Sequence, residues 1–316
     1  MSKVFAFTAW FACLAIVHAI ESKVCEFDLV WYDNASLPLV YRARSEITEG
    51  LENTDKVELN TTVDVLHDLD LEFIPELKVL TLDRLGIMEI KPGAFKNLPR
   101  SLENLTITNN EFYVIPELLF NNLAVVHLNL SGNQIRTVEP GAFDNMTNLS
   151  TIVLDNNGIQ KYEIRLANCP KLHLISFRHN DLAELDEGIF TAIKDNILTL
   201  DMSHNNIKKI HKLAFDVKEF KEVFLNDNAL ENAMVLIKLV KADKVDLSNN
   251  KVQCLPKEFM ENGLSKIKLL NLSGNPLNCS CLHDLRKKVR KNIEFQKMSP
   301  LVKNIHITLP EKECDN

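Results

Sequence analysis

The chain has 316 residues, of which 46% are hydrophobic and 25% charged, and its formal net charge is −7. A chain of this length could hold two globular domains, but the repeats described below leave no room for a linker, so we expect one elongated domain. The negative net charge argues against a general nucleic-acid-binding protein, because such proteins carry concentrated positive charge.

The first 19 residues predict a signal peptide. They contain one lysine and a long apolar run that ends with Val17 and Ala19 at the −3 and −1 places of a cleavage site. No later segment reaches the roughly 18 apolar residues of a membrane span, and the polar end EKECDN lacks a lipid-anchor signal. We therefore expect a secreted, extracellular protein without a membrane span. Residues 20–55, with Cys25, Trp31 and Tyr32, are expected to cover the open end of the first of the stacked repeats described below.

From residue 56 onward the chain repeats one pattern. Its clearest copy is VVHLNLSGNQI at residues 125–135, in which apolar residues and one asparagine hold fixed places. Copies follow one another at steps of 22 to 25 residues, and their asparagine sites are Leu85 (an exception), Asn110, Asn133, Asn157, Asn180, Asn205, Asn228, Asn250 and Asn275. One such unit cannot bury its own apolar side, so stacked units must share a continuous core.

Two further features support the stacking. Each asparagine should turn the chain inward and bond backbone groups of adjacent coils, because unpaired buried groups cost about 1–3 kcal/mol each. A phenylalanine recurs 18 residues after the first apolar site of most copies, at Phe95, Phe120, Phe143, Phe190 and Phe215. We interpret these rings as a buried spine. In one copy Leu166 and Cys169 replace the Phe segment, and Cys169 is expected to be a buried thiol.

This L-x-x-L-x-L-x-x-N-x-L pattern resembles the leucine-rich-repeat family. The resemblance implies an α/β fold: a leucine-rich-repeat solenoid (curved horseshoe) with parallel strands on the concave face and short helices or turns on the convex face. We assign a signal peptide (1–19), an N-terminal cap (20–55), about ten repeats (56–277) and a C-terminal cysteine cap (278–316). One departure is ALENAMVLIKLVKA, whose apolar pattern predicts a true helix.

The end of the array, NPLNCSCLHDLRKKVRKN, is similar to the C-terminal cysteine cap of extracellular leucine-rich-repeat proteins. The family cap has two further cysteines, whereas here only Cys314 follows. Together with the signal peptide, this resembles secreted insect proteins most, in particular the mosquito leucine-rich immune molecules. Because no heptads follow, the chain would resemble their coil-less or short type.

Six cysteines remain after signal-peptide cleavage. Cys254 and Cys279 stand four residues after the asparagines of adjacent copies, so we predict that they are bonded and that Cys281 closes the tail through Cys314. The alternative is Cys279–Cys314 with Cys281 loose. Cys25 has no partner within reach; it is either inert in the N-terminal cap or bonded to a second chain.

No motif of a catalytic site is present, so we do not expect an enzyme, and no cofactor is implied. A parallel strand array offers instead an extended platform for a partner. Among the residues on this platform, we select a central patch in which an aromatic side chain is flanked by carboxylates. Phe224 is either a contact residue or partly covered by its neighbours. The patch comprises Ser176, Arg178, Asp201, Phe224 and Asp246.

Three other features could bear on binding. His179, His204 and Asp227 share one site in successive copies, either as solvated surface residues, as a divalent-metal site or as a pH-sensitive cluster. The basic run RKKVRK (286–291) suggests either an anionic partner such as a glycosaminoglycan or a solvated helix face. Glycosylation is expected at Asn34, Asn60, Asn104, Asn129, Asn145 and Asn271.

We therefore expect a secreted recognition or scaffold protein that binds a protein partner or a microbial surface through the strand platform, in innate immunity. The alternative is a cell-adhesion or extracellular-matrix protein acting in development. Infection-induced abundance in circulating fluid would favour the first hypothesis, and membrane attachment or cell-type restriction would favour the second.

Overall fold

The structure is a computed structural model that describes residues 29–32, 38–41, 55–59, 62–66, 69, 71, 74–215, 217, 219–298, 306–311 and 314. The chain forms two compact units. The first comprises Met1–Gly158 and Ile164–Lys171, and the second comprises Ile159–Glu163 and Leu172–Asn316. The predicted signal peptide and Cys25 lie outside the described residues, as do Asn34 and Asn60, so the predictions made for them stay predictions.

The first unit is built from short strands that recur once or twice per repeat. They are β1 (Leu29–Tyr32), β2 (Pro38–Tyr41), β3 (Lys56–Leu59), β4 (Val65–Leu66), β5 (Val79–Asp83), β6 (Glu89–Ile90), β7 (Asn104–Thr108), β8 (Val114–Ile115), β9 (His127–Asn129), β10 (Thr137–Val138) and β11 (Thr151–Val153). Strands β3, β5, β7, β9 and β11 pair in parallel in that order. The hairpin of β1 and β2 runs antiparallel against β3, which covers an edge that would otherwise be open to pairing.

The second unit continues the same arrangement of elements. Its strands are β12 (Leu174–Ser176), β13 (Glu184–Leu185), β14 (Ile197–Asp201), β15 (Lys209–Ile210), β16 (Glu219–Phe224), β17 (Lys244–Asp246), β18 (Leu269–Asn271) and β19 (His306–Thr308). Strands β12, β14, β16, β17, β18 and β19 pair in parallel in that order. Between them lie 3₁₀ turns at Thr191–Ile193 and Met234–Ile237 and a π-helical turn at Phe259–Gly263, and helix α1 (Cys279–Met298) follows β18.

The predicted parallel-strand solenoid is confirmed, and its asparagines have the expected bonds. Asn205 is an example: its Oδ1 accepts from the backbone N–H of Leu182 at 3.0 Å, and its Nδ2 donates to the carbonyls of Phe177 (2.8 Å) and Met202 (3.2 Å). The bonds join neighbouring coils within a unit and leave the amide fully paired. Buried asparagines of this kind are Asn110, Asn133, Asn180, Asn205, Asn250 and Asn275.

The phenylalanine spine is also confirmed. The rings of Phe95, Phe120 and Phe143 stack in the first unit with neighbouring centroids 5.5 Å apart. In the second unit Phe190 stacks on Phe215 at 6.0 Å. All of these rings are buried, so they stabilise the coils and are not available to a ligand. Cys169 is a buried thiol outside both disulfides, as expected, and burial raises its pKa to about 11.

The predicted helix in ALENAMVLIKLVKA is wrong. The structure has only a four-residue 3₁₀ turn there, Met234–Ile237. Buried apolar residues recur every third position, and the N–H of each bonds the carbonyl of the one three residues earlier. A period of three matches the 3.0 residues per turn of a 3₁₀ helix and not the 3.6 of an α-helix. The residues are Ala233, Leu236, Leu239 and Ala242.

The disulfide pairing also differs from the prediction. Cys254 bonds Cys281 (Cα–Cα 5.5 Å), and Cys279 bonds Cys314 (Cα–Cα 5.6 Å). The four predicted cysteines are bonded, but the predicted pairs Cys254–Cys279 and Cys281–Cys314 are wrong. Of the alternative, the Cys279–Cys314 bond is confirmed, whereas a loose Cys281 is wrong. The reason is the helix: α1 begins at Cys279, which is exposed, whereas Cys281 is buried. Residues two apart on a helix point in different directions, so only Cys281 faces the preceding coil.

Candidate functional site

The parallel strands of the second unit present one outward row of side chains. Paired positions join Ser176, Asp201, Phe224, Asp246, Asn271 and Thr308 across successive strands. The residues on either side of each point into the core, as the alternation of a β-strand requires, and Leu200, Val223 and Val245 are fully buried. We call these six residues the outer row, and it contains four of the five residues of the predicted patch, Ser176, Asp201, Phe224 and Asp246.

The outer row is not uniformly accessible. Asp201, Phe224 and Asp246 are partly exposed, and Arg178, two residues beyond the row, is exposed. Ser176 is only 7% exposed, so it offers a partner less surface than the other four selected residues, and its contact role stays a prediction.

The carboxylates of the outer row also have a structural role. One oxygen of Asp201 accepts hydrogen bonds from the backbone N–H (2.9 Å) and the hydroxyl (2.6 Å) of Ser203. Asp246 bonds Ser248 in the same way, at 2.9 and 2.6 Å, and its second oxygen accepts from the amide of Asn271 at 3.1 Å. These bonds hold the strand ends in a single conformation, so the row is pre-organised for a partner.

Phe224 is partly covered by a cation. The ammonium group of Lys244, on the next strand, lies 4.6 Å from the centre of the Phe224 ring. Such a contact is worth about 0.5–1 kcal/mol at an exposed site. The two side chains together offer an aromatic edge and a positive charge between the carboxylates of Asp201 and Asp246.

A neighbouring row, directly before the repeat asparagines, has an unusual backbone. His179, His204, Asp227 and Asn249 all have φ between 54° and 56°, a left-handed region in which His, Asn and Asp are enriched among side-chain-bearing residues. The imidazole rings of His179 and His204 stack with centroids 4.3 Å apart. The Nε2 of His204 lies 3.5 Å from Oδ2 of Asp227.

The carboxylate of Asp227 is surrounded by donors and positive charges. Asn226 and Asn249 donate to it at 2.7 and 2.8 Å. Although partial burial raises the pKa of Asp227, these two hydrogen bonds and the nearby charges of His204 and Arg178 outweigh it. The pKa of Asp227 therefore lies below its ordinary value.

The alternative of a metal site at His179, His204 and Asp227 is not supported. Within the described part of the chain, no three His, Cys, Asp or Glu side chains lie where they could hold one metal ion. The two imidazoles are stacked face to face, so their nitrogens lie in parallel planes and do not converge on a point. The pH-sensitive alternative is compatible with the close approach of His204 to Asp227.

Four predicted glycosylation sites lie among the described residues. Asn104, Asn129 and Asn271 lie on strands β7, β9 and β18 and are partly exposed, whereas Asn145 is exposed in a loop. Asn271 belongs to the outer row and neighbours Asp246. A glycan on Asn271 would therefore border the patch around Phe224; whether the sites are occupied stays a prediction.

A second outward row lies two residues before the outer row, and none of its residues is among the predicted contact residues. Glu222, Lys244 and Leu269 are paired across β16, β17 and β18, and Leu269 is 40% exposed. These residues precede the first strand leucine of each copy, a site that we had not counted as part of the platform. The signal was available, because strand alternation places positions two apart on the same face.

Comparisons with known proteins agree with this architecture. Residues 100–159 match a leucine rich repeat model, and residues 159–262 match the model of the BspA type leucine rich repeat region. Leucine-rich repeats and immunoglobulin-like domains protein 1 of Homo sapiens is 29% identical over 154 residues, which are 48% of this chain and 14% of that protein. Keratocan of Bos taurus is 24% identical over 266 residues, 77% of this chain and 72% of keratocan.

A solved structure shows the same fold. The mouse RP105/MD-1 complex superposes with a TM-score of 0.60 at 20% sequence identity, covering 79% of this chain and 41% of that one. At this identity the likeness concerns the fold alone. None of the helices in the described ranges is long and apolar enough to cross a membrane.

Proposed function

Since the chain is a leucine-rich-repeat protein, we propose that it is a secreted recognition protein that binds a protein partner or a microbial surface through the outer row and its flanking residues. The resemblance of its ends to secreted insect immune proteins favours a role in innate immunity. Two disulfides, Cys254–Cys281 and Cys279–Cys314, support an oxidising, extracellular location.

The observation that carries the proposal is the position of Phe224. It is a partly exposed aromatic residue on a rigid strand, with Lys244 against its ring and carboxylates on the strands to either side. Aromatic residues surrounded by polar groups are frequent centres of binding energy in interfaces. One structural neighbour, RP105, was solved in complex with another protein, MD-1, which supports a protein as the class of partner.

The test compares capture by the wild-type protein with capture by Phe224→Thr. Threonine occupies the equivalent strand site at Thr81 and Thr106, so the variant should fold normally. The matched control is Leu213→Thr, which removes an exposed apolar side chain (40% exposed) outside the strand rows. Each protein is immobilised, exposed to native extracellular fluid, and its captured proteins are quantified by mass spectrometry.

We expect at least one protein to bind the wild type and the Leu213→Thr control equally. Its recovery on Phe224→Thr should fall by roughly tenfold or more, because an interface hot spot contributes about 2 kcal/mol or more. Thermal unfolding of all three proteins confirms that the variants are folded. A captured set that is the same for Phe224→Thr and wild type would refute the proposed surface.

Glycosylation at Asn271 would restrict the partner further. Its amide nitrogen donates to Asp246, so an attached glycan would stand at the β18 side of the patch. The partner would then approach over β14, β16 and β17. Glycopeptide mapping of Asn271 tests this, and an unmodified Asn271 would remove the restriction without affecting the role of Phe224.

A further inference from the structure

The C-terminal helix concentrates positive charge in a chain that is negative overall. Helix α1 carries six Lys or Arg and two Asp or Glu residues, a net charge of +4, whereas the whole chain has a net charge of −7. Arg286, Lys287 and Arg290 are exposed on it. Positions four apart share one side of a helix, so Arg286 and Arg290 form a line along its surface, with Lys287 beside them.

The preceding coil adds another cation to this surface. A groove of about 500 Å³ lies between that coil and α1, and Lys257, Lys287 and Lys288 contribute to its lining. The ammonium group of Lys288 donates to the carbonyl of Met260 at 3.0 Å, which ties the helix to the coil. Lys257 is exposed at the rim of the groove. The positive surface therefore spans two elements.

Two carboxylates, Glu261 and Asp284, line the same groove. Glu261 lies 3.9 Å from the ammonium of Lys257, a distance at which an exposed pair contributes little. The carboxylates disfavour an anion deep in the groove. The cations that a polyanion can reach are therefore those at the rim of the groove and on the exposed side of α1, namely Lys257, Arg286, Lys287 and Arg290.

The surface is held rigid by covalent bonds. Cys281 in the first turn of α1 is bonded to Cys254, three residues before Lys257 on the preceding coil. The backbone N–H of Cys281 also bonds the side-chain oxygen of Asn278 at 2.8 Å, which caps the helix. The backbone positions that carry Lys257, Lys287 and Arg290 are therefore fixed relative to one another, which lowers the entropy cost of binding a multivalent anion.

We propose that α1 and Lys257 form a binding surface for a sulfated polysaccharide. Polyanions are bound through several cations at once, and the release of their counterions drives the association. The two disulfides support the extracellular location of the proposed function, and sulfated polysaccharides are polyanions found there. A membrane is disfavoured as the occupant, because Leu282 and Leu285 are buried and no exposed large apolar side chain lies on residues 279–290. The proposal concerns a surface other than the outer row and does not depend on the partner bound there.

The test uses heparin as the probe and measures its affinity for the full secreted protein in 0.15 M NaCl. The variant is Lys257→Gln/Lys287→Gln/Arg290→Gln, which removes three exposed cations. The matched control is Lys194→Gln/Lys208→Gln/Lys212→Gln, in which three exposed lysines of the same unit are neutralised. Both triple variants have the same net charge, so a difference between them reports position and not total charge.

We expect the affinity of the first variant for heparin to fall by about tenfold or more. The affinity of the control should stay within about twofold of the wild type. The slope of log affinity against log salt should become shallower by about two to three units in the first variant only, as three ionic contacts are lost. Hyaluronan, which lacks sulfate, should bind far more weakly than heparin.

Several results would overturn the proposal. One is the absence of heparin binding by the wild type in 0.15 M NaCl, and another is equal weakening in both triple variants. Binding to phosphatidylserine vesicles or to duplex DNA as tight as binding to heparin would show that the surface does not select sulfated polysaccharides. Loss of heparin binding in the first variant leaves capture through Phe224 unchanged, so this proposal and the proposed function fail separately.

Discussion

The side-chain amide of Asn249 lies directly over Gly274 of the next coil. A Cβ on Gly274 would overlap Oδ1 of Asn249, and Gly274 itself has a φ of +68°. Asn249 cannot move away freely, because its Nδ2 donates to Oδ1 of Asp227 at 2.8 Å. The requirement for glycine at 274 therefore comes both from the backbone and from the neighbouring side chain.

Gly274→Ala should lower the free energy of unfolding by more than backbone strain alone. Left-handed backbone costs an alanine about 1–2 kcal/mol, and the overlap with Asn249 should add about 1–3 kcal/mol. Gly86→Ala is the control, since Gly86 has a φ of +73° and nothing within 4 Å of the added Cβ. Denaturant unfolding measures the free energy of unfolding of both variants. Equal losses in the two variants would show that Asn249 adjusts at no cost.

The repeat asparagines give a second prediction. Asn205→Ala would leave the N–H of Leu182 and the carbonyls of Phe177 and Met202 without their side-chain partner. Each unpaired buried group costs about 1–3 kcal/mol, so we expect a loss of about 3 kcal/mol or more. The neighbouring Asn206 is exposed, and Asn206→Ala should change stability by less than about 0.5 kcal/mol. Similar losses for the two variants in urea unfolding would contradict the bonding scheme.

The repeat period predicted the core, the asparagine bonds and the strand register, because one residue of slip would expose every buried leucine. It did not predict local contacts that depend on the direction in which a side chain points. The partner of Cys254 is one: the repeat spacing brings Cys279 close, but the start of α1 at Cys279 turns Cys281 toward Cys254. Where a helix begins is among the least certain features of sequence-based reasoning.

The outer row was predicted as a set of positions and not as a set of interactions. A recurring pattern could have shown more: Asp201 precedes Ser203 by two residues, and Asp246 precedes Ser248 in the same way. An acceptor two residues before a serine is typical of a side chain that bonds the following backbone. The pattern would have indicated that these carboxylates stabilise the strand ends. Nothing comparable in the sequence signals the burial of Ser176.

The hydroxyl of Tyr162 suggests a stabilising substitution. It is buried without a hydrogen-bond partner among the described residues, and burial raises the pKa of Tyr162. The ring packs against Phe177 and Phe190 with centroids 5.2 and 5.3 Å away. Tyr162→Phe keeps this packing and removes the unpaired group, so we expect stability to rise by about 1–3 kcal/mol.

Thermal and urea unfolding of Tyr162→Phe measure this gain. The control is Tyr113→Phe, whose side chain is 60% exposed and whose substitution should change stability by less than about 0.5 kcal/mol. A loss of stability in Tyr162→Phe would mean that the hydroxyl has a partner, such as a buried water molecule.

The last prediction concerns the pH dependence of stability at Asp227. Because its pKa is lower in the folded protein than in the unfolded chain, the unfolded chain takes up a proton first as the pH falls. The ionised carboxylate therefore stabilises the fold fully above the ordinary carboxyl pKa of about 3.9, and this contribution is lost as the pH falls through the lowered pKa. Asp227→Asn removes the charge. Asparagine is compatible with the left-handed backbone at this site, as Asn249 shows with a φ of 54°.

We expect Asp227→Asn to be less stable than wild type at pH 7, by about 1 kcal/mol or more. The negative charge is lost, and one of the two oxygens that accept from Asn226 and Asn249 becomes an NH2 group that cannot accept. The difference should shrink on acidification, as the pH falls through the lowered pKa of the wild-type carboxyl and that carboxyl loses its charge as well. Urea unfolding at several pH values measures it, with Asp186→Asn, at an exposed carboxylate, as the control for a general loss of negative charge. A difference that stays constant between pH 7 and the acidic limit would show that the charge of Asp227 contributes nothing to stability. The two hydrogen bonds alone would then stabilise the row of residues that contains Asp227.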